Sequence, residues 1–301
     1  MSRKALIIIM LMASCGVVRA EPVTISNPVA SVTVDPELGR ITDWRLTGGE
    51  NVLWVNRGNL DSAFVQGWKN YGGDKVWLVP QPLRDAVFGN GAPDPDLDGG
   101  VWRIIGRGPL TLTMRSGLSR KLHCVVTRTL RLDPAAARLT IVNRVERVQA
   151  SPFPVHLWAV SQTAVPDRVF FGLNGTWYPA EPRYRKLVAE EVPPVLRDGG
   201  ILEVFPLAGD WNKVVCWGDW LAAAIGGTVF VQSVDAAPAG CYPEGSNLQF
   251  YVNREYAELE TLGDLRPLPP GEEYSNTVVW QLIERIPGRE PEQLRALTAN
   301  P

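Results

Sequence analysis

Short segments in which apolar side chains alternate with polar ones, or run together, recur along almost the whole chain, and this pattern limits its fold more than any other feature. They are VTISN, ASVTVD, VLWV, LTLTM, HCVVTRTLRL, RLTIVNRVERV, FPVHLWAVSQ, KVVCWGDWLAAAI, TVFVQSV, LQFYVNREYAELETL and NTVVWQLIE. Alternation with a period of two is typical of β-strands, and the 28 glycines and 25 prolines suit the turns between them. Only EPEQLRALTA has a helical pattern, with Pro291 suited to its first turn. The sequence therefore predicts an antiparallel all-β sandwich with a short C-terminal helix.

Residues 1–20 have the pattern of an export signal. A basic start precedes an apolar run from Ala5 to Val18, and Ala20 ends the small-residue pattern that a signal peptidase cleaves. The run is too short for a membrane-spanning helix. A second interpretation is a lipoprotein signal, in which Cys15 of LMASC would become a lipid-anchored N-terminus. Both interpretations predict an exported protein, either periplasmic or secreted, or anchored through Cys15.

The rest of the chain, residues 21–301, is long enough for one large β domain, which we expect it to form. The formal net charge is only −2 and no basic run occurs, so nucleic acid is not an expected partner. No second apolar stretch is long enough to cross a bilayer. The sequence has no glycine-rich phosphate loop, no GxSxG elbow and no zinc-type spacing, and we therefore expect no cofactor and no metal.

Three cysteines follow the signal segment, at positions 124, 216 and 241. They allow one disulfide in an oxidising compartment, but the sequence does not choose the pair. We expect Cys124, Cys216 and Cys241 to be buried free thiols.

The segment DPDLDGG places Asp94, Asp96 and Asp98 as in the start of a calcium-binding loop. The twelfth position of that loop is Ile105, where a bidentate glutamate is required. An aspartate-rich turn is therefore the favoured interpretation.

The chain also contains 11 tryptophans, more than a core of this size usually buries. A tryptophan in an exposed loop can stack on the apolar face of a sugar ring. The candidates for this role are Trp68, Trp77, Trp177 and Trp211, whereas the others suit the core.

Two histidines are present, and only one shares a strand face with other candidate site residues. His123, in KLHCVVTRTLRL, is expected to be an exposed strand residue. His156, in FPVHLWAVSQ, has the same strand parity as Trp158 and Gln162. A histidine, a tryptophan and an amide on one face suit either a sugar cleft or a hydrogen-bonded structural site.

The segment NREYAELETLG gives a second polar face. In an extended strand, Ala257 and Leu259 would lie on one face. The opposite face would carry the side chains of Arg254, Tyr256, Glu258 and Glu260. This face is either plain solvent surface or the floor of a polar pocket. Two carboxylates close together can share a proton, which raises the pKa of one of them towards catalytic use.

The third candidate site is the segment NYGGDKVWLVPQ. Two glycines precede a charged pair, a strand that is expected to be buried follows, and the strand ends at Pro80 and Gln81. Either Asp74 and Lys75 bind ligand hydroxyls beside a stacking face from Trp77, or both charges lie in solvent and Trp77 is buried.

Several of these segments, in this order, resemble a bacterial family of unknown function in the galactose mutarotase-like superfamily. They are NYGGDKVWLVPQ, DPDLDGGVWRI, RLTIVNRVERVQASPFPVHLWAVSQ, NKVVCWGDWLAAAIGGTVFVQSV and YPEGSNLQFYVNREYAELETLGDLRPLPPGEEYSNTVVWQL. The resemblance covers about residues 22–285. That superfamily is similar to aldose 1-epimerases and hexose-6-phosphate epimerases. The resemblance implies an antiparallel supersandwich with a sugar site on the concave face of one sheet.

The resemblance also assigns site residues. Gly72, Gly73 and Pro80 resemble a glycine–proline loop that lines the sugar site, and His156 resembles the epimerase histidine. Glu260 resembles the epimerase glutamate, with Glu258 as the alternative if the register slips by two. The residues expected to bind the sugar are Gly73, Asp74, Lys75, Trp77, Gln81, Trp158 and Arg254.

One departure from the epimerases concerns their second histidine, which is absent from FGNGAPDPDLDGGVWRI. Mutarotation needs both a base and an acid, so this absence weighs against standard mutarotase activity, although Lys75 or Asp74 are candidate replacements. The leading interpretation is an exported carbohydrate-binding protein. The alternatives are an aldose 1-epimerase-like enzyme, with Glu260 as base and His156 as acid, and a structural envelope protein with a vestigial pocket.

Overall fold

The structure is a computed structural model that describes residues 20–56, 63–65, 68–173, 184–186, 195–197, 199–206, 212–235 and 240–298. Residues 1–19 of the expected export signal, with Cys15, lie outside the described residues, as do Trp177 and Trp211.

The described chain consists mainly of strands. In chain order these are β1 (Val23–Ser26), β2 (Ala30–Asp35), β3 (Arg40–Leu46), β4 (Ala63–Val65), β5 (Trp68–Lys69), β6 (Asp74–Trp77), β7 (Arg103–Arg107), β8 (Thr111–Arg115), β9 (Cys124–Leu132), β10 (Arg138–Arg147) and β11 (Trp158–Thr163). They continue with β12 (Arg168–Leu173), β13 (Tyr184–Lys186), β14 (Val195–Arg197), β15 (Ile201–Val204), β16 (Asn212–Cys216), β17 (Gly218–Ile225), β18 (Thr228–Val234), β19 (Leu248–Val252), β20 (Ala257–Leu262) and β21 (Glu273–Glu284). The helices are α1 (Gln81–Phe88), a 3₁₀ turn (Pro243–Gly245) and α2 (Glu290–Thr298).

Two large antiparallel sheets form the sandwich. The front sheet has nine strands in the order β1-β2-β3-β6-β11-β20-β19-β16-β13. The back sheet has ten strands in the order β14-β15-β12-β17-β18-β21-β10-β9-β8-β7, and β4 pairs with β5 separately. The predicted antiparallel β-sandwich and the predicted C-terminal helix are both confirmed.

The core lies between the two sheets and explains which side chains face outward. Trp280 of the back sheet contacts Trp44 of the front sheet, with ring centroids 6.5 Å apart, and both are fully buried. On β20, Ala257 and Leu259 belong to this core. Because side chains alternate along a strand, Glu258 and Glu260 project from the outer face of the front sheet.

A polar network crosses the core. The Asp74 carboxylate accepts hydrogen bonds from Arg128 and, at 2.8 Å, from the Ser161 hydroxyl. The Ser161 hydroxyl in turn accepts one from Gln232 at 2.7 Å, and Arg128 donates from Nε to Asn143 at 2.9 Å. The network therefore ties β6 and β11 of the front sheet to β9, β10 and β18 of the back sheet.

Helix α1 was not predicted from the sequence, which indicated only the end of a strand at this point. Pro82 lies in the first turn of the helix, and Gly89 ends it with φ of 85° while its N–H donates to the Asp85 carbonyl at 2.9 Å. Proline near the start and a left-handed glycine just after the end are a known pair of helix signals. An eight-residue helix offers little periodicity beyond them.

Other local expectations differ from the structure. His123 lies just before β9 with φ of 52°, and its Nδ1 pairs with the Ala150 carbonyl at 2.8 Å, so it is not a strand residue. The three cysteines are free, but only Cys124 and Cys216 are buried, because Cys241 lies on an exposed segment. In the part of the chain that the structure describes, no helix is long and apolar enough to cross a membrane.

Candidate functional site

The outer face of the front sheet gathers most of the predicted site residues. One row across the sheet pairs Lys75 with Val160, Val160 with Glu260, and Glu260 with Gln249. Because neighbouring strands are about 4.8 Å apart, the backbones of Lys75 and Glu260 are roughly 10 Å apart on the same face.

The two carboxylates on this face are buried and have defined partners. Glu260, 1% exposed, accepts a hydrogen bond from Trp158 Nε1 at 2.9 Å and has Lys213 Nζ at 3.6 Å. Glu258 accepts a hydrogen bond from Gln162 Nε2 at 2.7 Å. The face is therefore a buried polar floor, and the interpretation as plain solvent surface is wrong.

Tryptophans and a guanidinium form one side of the site. Trp77 and Trp158 are cross-strand neighbours whose ring centroids are 5.1 Å apart in an edge-to-face arrangement. The Arg84 guanidinium carbon lies 4.3 Å from the Trp77 ring centroid and 4.9 Å from that of Trp158. Trp68 completes this side and donates from its indole N–H to Asp98. Trp77 is thus a buried strand residue, as one of the two interpretations of NYGGDKVWLVPQ expected, and not the exposed loop tryptophan of the other.

Lys75 is a buried cation. Its Nζ lies 5.1 Å from the centroid of the Trp77 ring, and the residue is 2% exposed. Burial lowers the pKa of Lys75 to about 8, and the negative charge of Glu258 opposes this shift. Burial likewise lowers the pKa of Arg84 to about 10.

Several polar atoms of this face are buried without a hydrogen-bond partner among the described residues. They are Lys75 Nζ, Arg84 Nη2, Gln162 Oε1 and Gln249 Oε1. The amide nitrogens of the two glutamines are used, because Gln162 donates to Glu258 and Gln249 donates to Ser246 at 3.1 Å. Buried polar groups are usually paired, so this cluster of unpaired donors and acceptors makes the face the candidate functional site.

His156 lies beside this floor but differs from the acid that was predicted. It is fully buried, its ring centroid is 5.6 Å from that of Trp158, and neither ring nitrogen has a hydrogen-bond partner of standard geometry in the described chain. Burial, reinforced by the nearby charge of Arg84, lowers the pKa of His156 to about 3. At neutral pH the imidazole is therefore uncharged, and it cannot act as an imidazolium acid.

The glycines of the opening motif serve the fold. Gly72 and Gly73 have φ of 79° and 67°, and a Cβ on either would lie 2.4 Å from a backbone oxygen, that of Trp54 or of Ile41. The Gly73 N–H donates to the Trp54 carbonyl at 2.7 Å. Gly73 was predicted to let the backbone approach a sugar. Its conformation is required for close approach between protein segments, and its contact with a sugar stays a prediction.

Three further residues of the predicted set point away from the floor. Asp74 faces the core, where Arg128 binds it, because it has the opposite parity to Lys75 on β6. Gln81 is exposed at the first position of α1. Arg254 is exposed in the turn between β19 and β20, because β20 begins only at Ala257. The structure therefore brings together Lys75, Trp77, Trp158, Glu258 and Glu260, and His156 lies next to Trp158.

The aspartates of DPDLDGG diverge to separate partners, which supports the aspartate-rich turn. Asp94 accepts from Ser119, Asp96 pairs with Arg120, and Asp98 pairs with Arg40 at 2.8 Å. Asp98 also accepts a hydrogen bond from Trp77 Nε1 at 3.2 Å, which links this turn to the site. Among the described residues, no group of three or more metal-ligating side chains is close enough to hold a metal ion.

Sequence reasoning missed four contributors: Arg84, Asp98, Lys213 and Gln249. Strand parity could have found Lys213 and Gln249, because NKVVC and LQFYV both read as strands. Arg84 required recognition of α1 through Pro82 and Gly89. No local signal distinguishes Asp98 from the other aspartates of its turn, since its partners lie far away in the chain.

No protein-family model matches this chain, and no curated protein matches it by sequence. Solved structures do match. A galactose mutarotase-like protein from Lactobacillus casei ATCC 334 is 10% identical, with a TM-score of 0.56 over 87% of this chain and 100% of that one. A GalM/aldose epimerase homologue from C. elegans is 11% identical, with a TM-score of 0.55 over 88% and 99%. Galactose 1-epimerase from Lactobacillus acidophilus NCFM is 11% identical, with a TM-score of 0.51 over 88% and 95%. These likenesses establish the galactose mutarotase-like fold that the resemblance implied.

Proposed function

We propose that this protein binds a carbohydrate on the outer face of its front sheet. The observation that carries the proposal is the set of buried, unpaired atoms Lys75 Nζ, Arg84 Nη2, Gln162 Oε1 and Gln249 Oε1 on one face. Each unpaired buried polar group costs about 1–3 kcal/mol. A sugar presents hydroxyl groups that both donate and accept hydrogen bonds, so one ring can pair with several of these atoms at once. Galactose mutarotase-like neighbours named as epimerases add support at the level of the fold.

The test is a glycan-array screen of the purified protein, followed by calorimetry with the sugars that bind. Gln162→Met and Gln249→Met each remove one unpaired acceptor with little change in shape, together with the amide donor to Glu258 or to Ser246, and each should weaken binding by about 1–2 kcal/mol. The matched control is Gln281→Met, because Gln281 lies on the outer face of the back sheet. A protein that binds no sugar, or variants that bind as well as the control, would rule out the proposal.

A second candidate function is acceleration of anomer exchange in aldoses. It is favoured by the location of Lys75, whose pKa is about 8, on the same face as Glu258 and Glu260. In this version Lys75 takes the acid role that the sequence assigned to His156, and Glu260 remains the base. NMR saturation transfer between the anomers of a bound sugar distinguishes the two functions.

We also propose that the protein acts outside the cytoplasm, on the basis of the apolar run from Ala5 to Val18 and of Ala20. Mass spectrometry of the N-terminus should find Glu21 first, or a lipid on Cys15. Recovery of mature protein beginning at Met1 would contradict export.

A further inference from the structure

The site has two unpaired nitrogens on positively charged side chains, and both of these side chains contact the same tryptophan. Lys75 Nζ and the Arg84 guanidinium both lie against the Trp77 ring, 5.1 and 4.3 Å from its centroid. Lys75 is 2% exposed and Arg84 is 6% exposed. Arg84 donates from Nε to the Val79 carbonyl at 3.4 Å, but its Nη2 has no partner among the described residues. Both cationic donors are thus buried against one aromatic ring, and each has a nitrogen that a ligand could pair with.

The charges of the described side chains are also unbalanced here. Asp98 and Arg40 compensate each other through a 2.8 Å ion pair. Glu260 is close to Lys213, at 3.6 Å. Glu258 is then the carboxylate that acts most strongly on the two cations at positions 75 and 84, and its hydrogen-bond donor is the neutral amide of Gln162. Among these described side chains one positive charge remains in excess, and buried charges are normally compensated.

We propose that the ligand is a sugar that carries one carboxylate, a uronic acid or a chain that ends in one. This inference rests on the proposed function, because it specifies the ligand of the same site. The carboxylate accepts a hydrogen bond from Lys75 Nζ or from Arg84 Nη2, while the ring hydroxyls pair with Gln162 and Gln249. A carboxylate supplies the single negative charge that balances the site, whereas a phosphate dianion would exceed it.

The experiment compares pairs of sugars that differ only in the charged group. Galacturonate and glucuronate are titrated against galactose, glucose and the two hexose 6-phosphates, with calorimetry as the readout. At least one uronate should bind wild-type protein ten-fold or more tightly than its neutral parent. This ratio should fall towards one in Lys75→Met, in Arg84→Met or in both, and it should be unchanged in the surface control Lys121→Met.

The outcomes separate the two proposals. If a neutral sugar binds wild-type protein as tightly as its uronate, the carboxylate inference is wrong and carbohydrate binding stands. Tighter binding of a hexose 6-phosphate than of any uronate also overturns the carboxylate inference. If none of these sugars binds and the glycan array is silent, both proposals fail. Lys75→Met removes an unpaired buried charge and should fold. If this variant does not fold, the affinity of wild-type protein for a uronate relative to its neutral parent sugar still tests the carboxylate inference.

Discussion

The indole N–H of Trp158 donates to the Glu260 carboxylate at 2.9 Å across two adjacent strands. Trp158 also contacts Arg84 on its ring and His156 at its side, with centroid distances of 4.9 and 5.6 Å. Trp158 therefore orients the carboxylate of Glu260, the candidate base, and packs against the guanidinium of Arg84. A side chain so placed couples the geometry of the carboxylate to that of the guanidinium.

The first prediction concerns this hydrogen bond. Trp158→Phe keeps an aromatic ring but removes the donor to a charged acceptor, so the free energy of unfolding should fall by about 1.5–3 kcal/mol. Urea denaturation measures the loss. In a double-mutant cycle with Glu260→Gln, the two substitutions should be clearly non-additive, because they share the bond. Additive losses would mean that the bond contributes nothing to stability.

The second prediction separates binding from catalysis. Glu260→Gln keeps the shape of the side chain and most of its hydrogen bonding, so the affinity for sugar should change little if the protein only binds. Under the epimerase alternative, the same change removes the base and abolishes any acceleration of anomer exchange. Wild-type exchange above the buffer rate, lost in Glu260→Gln, would favour the enzyme over the binding protein.

The parts of this site that could be predicted from sequence are those that depend on strand alternation. Glu258 with Glu260, and Trp158 with Gln162, share a face because the period of two is a local property of an extended chain. The role of Asp74 could not be found in this way. Its partner Arg128 is distant in the chain, and only the packing of the two sheets shows that Asp74 faces inward. Gly73 illustrates the same limit, because its close contact is with Ile41 of a neighbouring strand.

The third prediction concerns this buried pair. Asp74 and Arg128 are at most 1% exposed as side chains, so removing one charge leaves the other uncompensated. Arg128→Met should lower the free energy of unfolding by about 3–5 kcal/mol, and Asp74→Asn should also destabilise the protein. The double variant Asp74→Asn/Arg128→Met should recover part of the loss. If Asp74→Asn weakens sugar binding without affecting stability, the inward placement of this residue is wrong.

The fourth prediction concerns the pH dependence of ligand binding. The pKa of Lys75 is lowered to about 8, so the ammonium is present below this pH and is lost as the pH rises through it. Affinity for an anionic sugar should therefore decrease above pH 8, approaching ten-fold per pH unit. The charged groups around Lys75 are Glu258 of β20, Arg40 of β3, Asp98 and Asp74. Calorimetry from pH 6.5 to 9.5 tests this, and Lys75→Met should remove the decrease.

The last prediction concerns acid stability and His156. Its pKa is about 3 in the folded protein and ordinarily 6.5, so the unfolded chain takes up a proton that the folded chain does not. Stability from this residue is complete above pH 6.5 and is lost as the pH falls towards 3, by about 1.4 kcal/mol per unit. Between neutrality and pH 5, wild-type protein should lose about 2 kcal/mol more than His156→Leu, which has no proton to gain. Urea denaturation at both pH values measures this difference, and equal losses would show that the imidazole is protonated, or solvated, in the folded state.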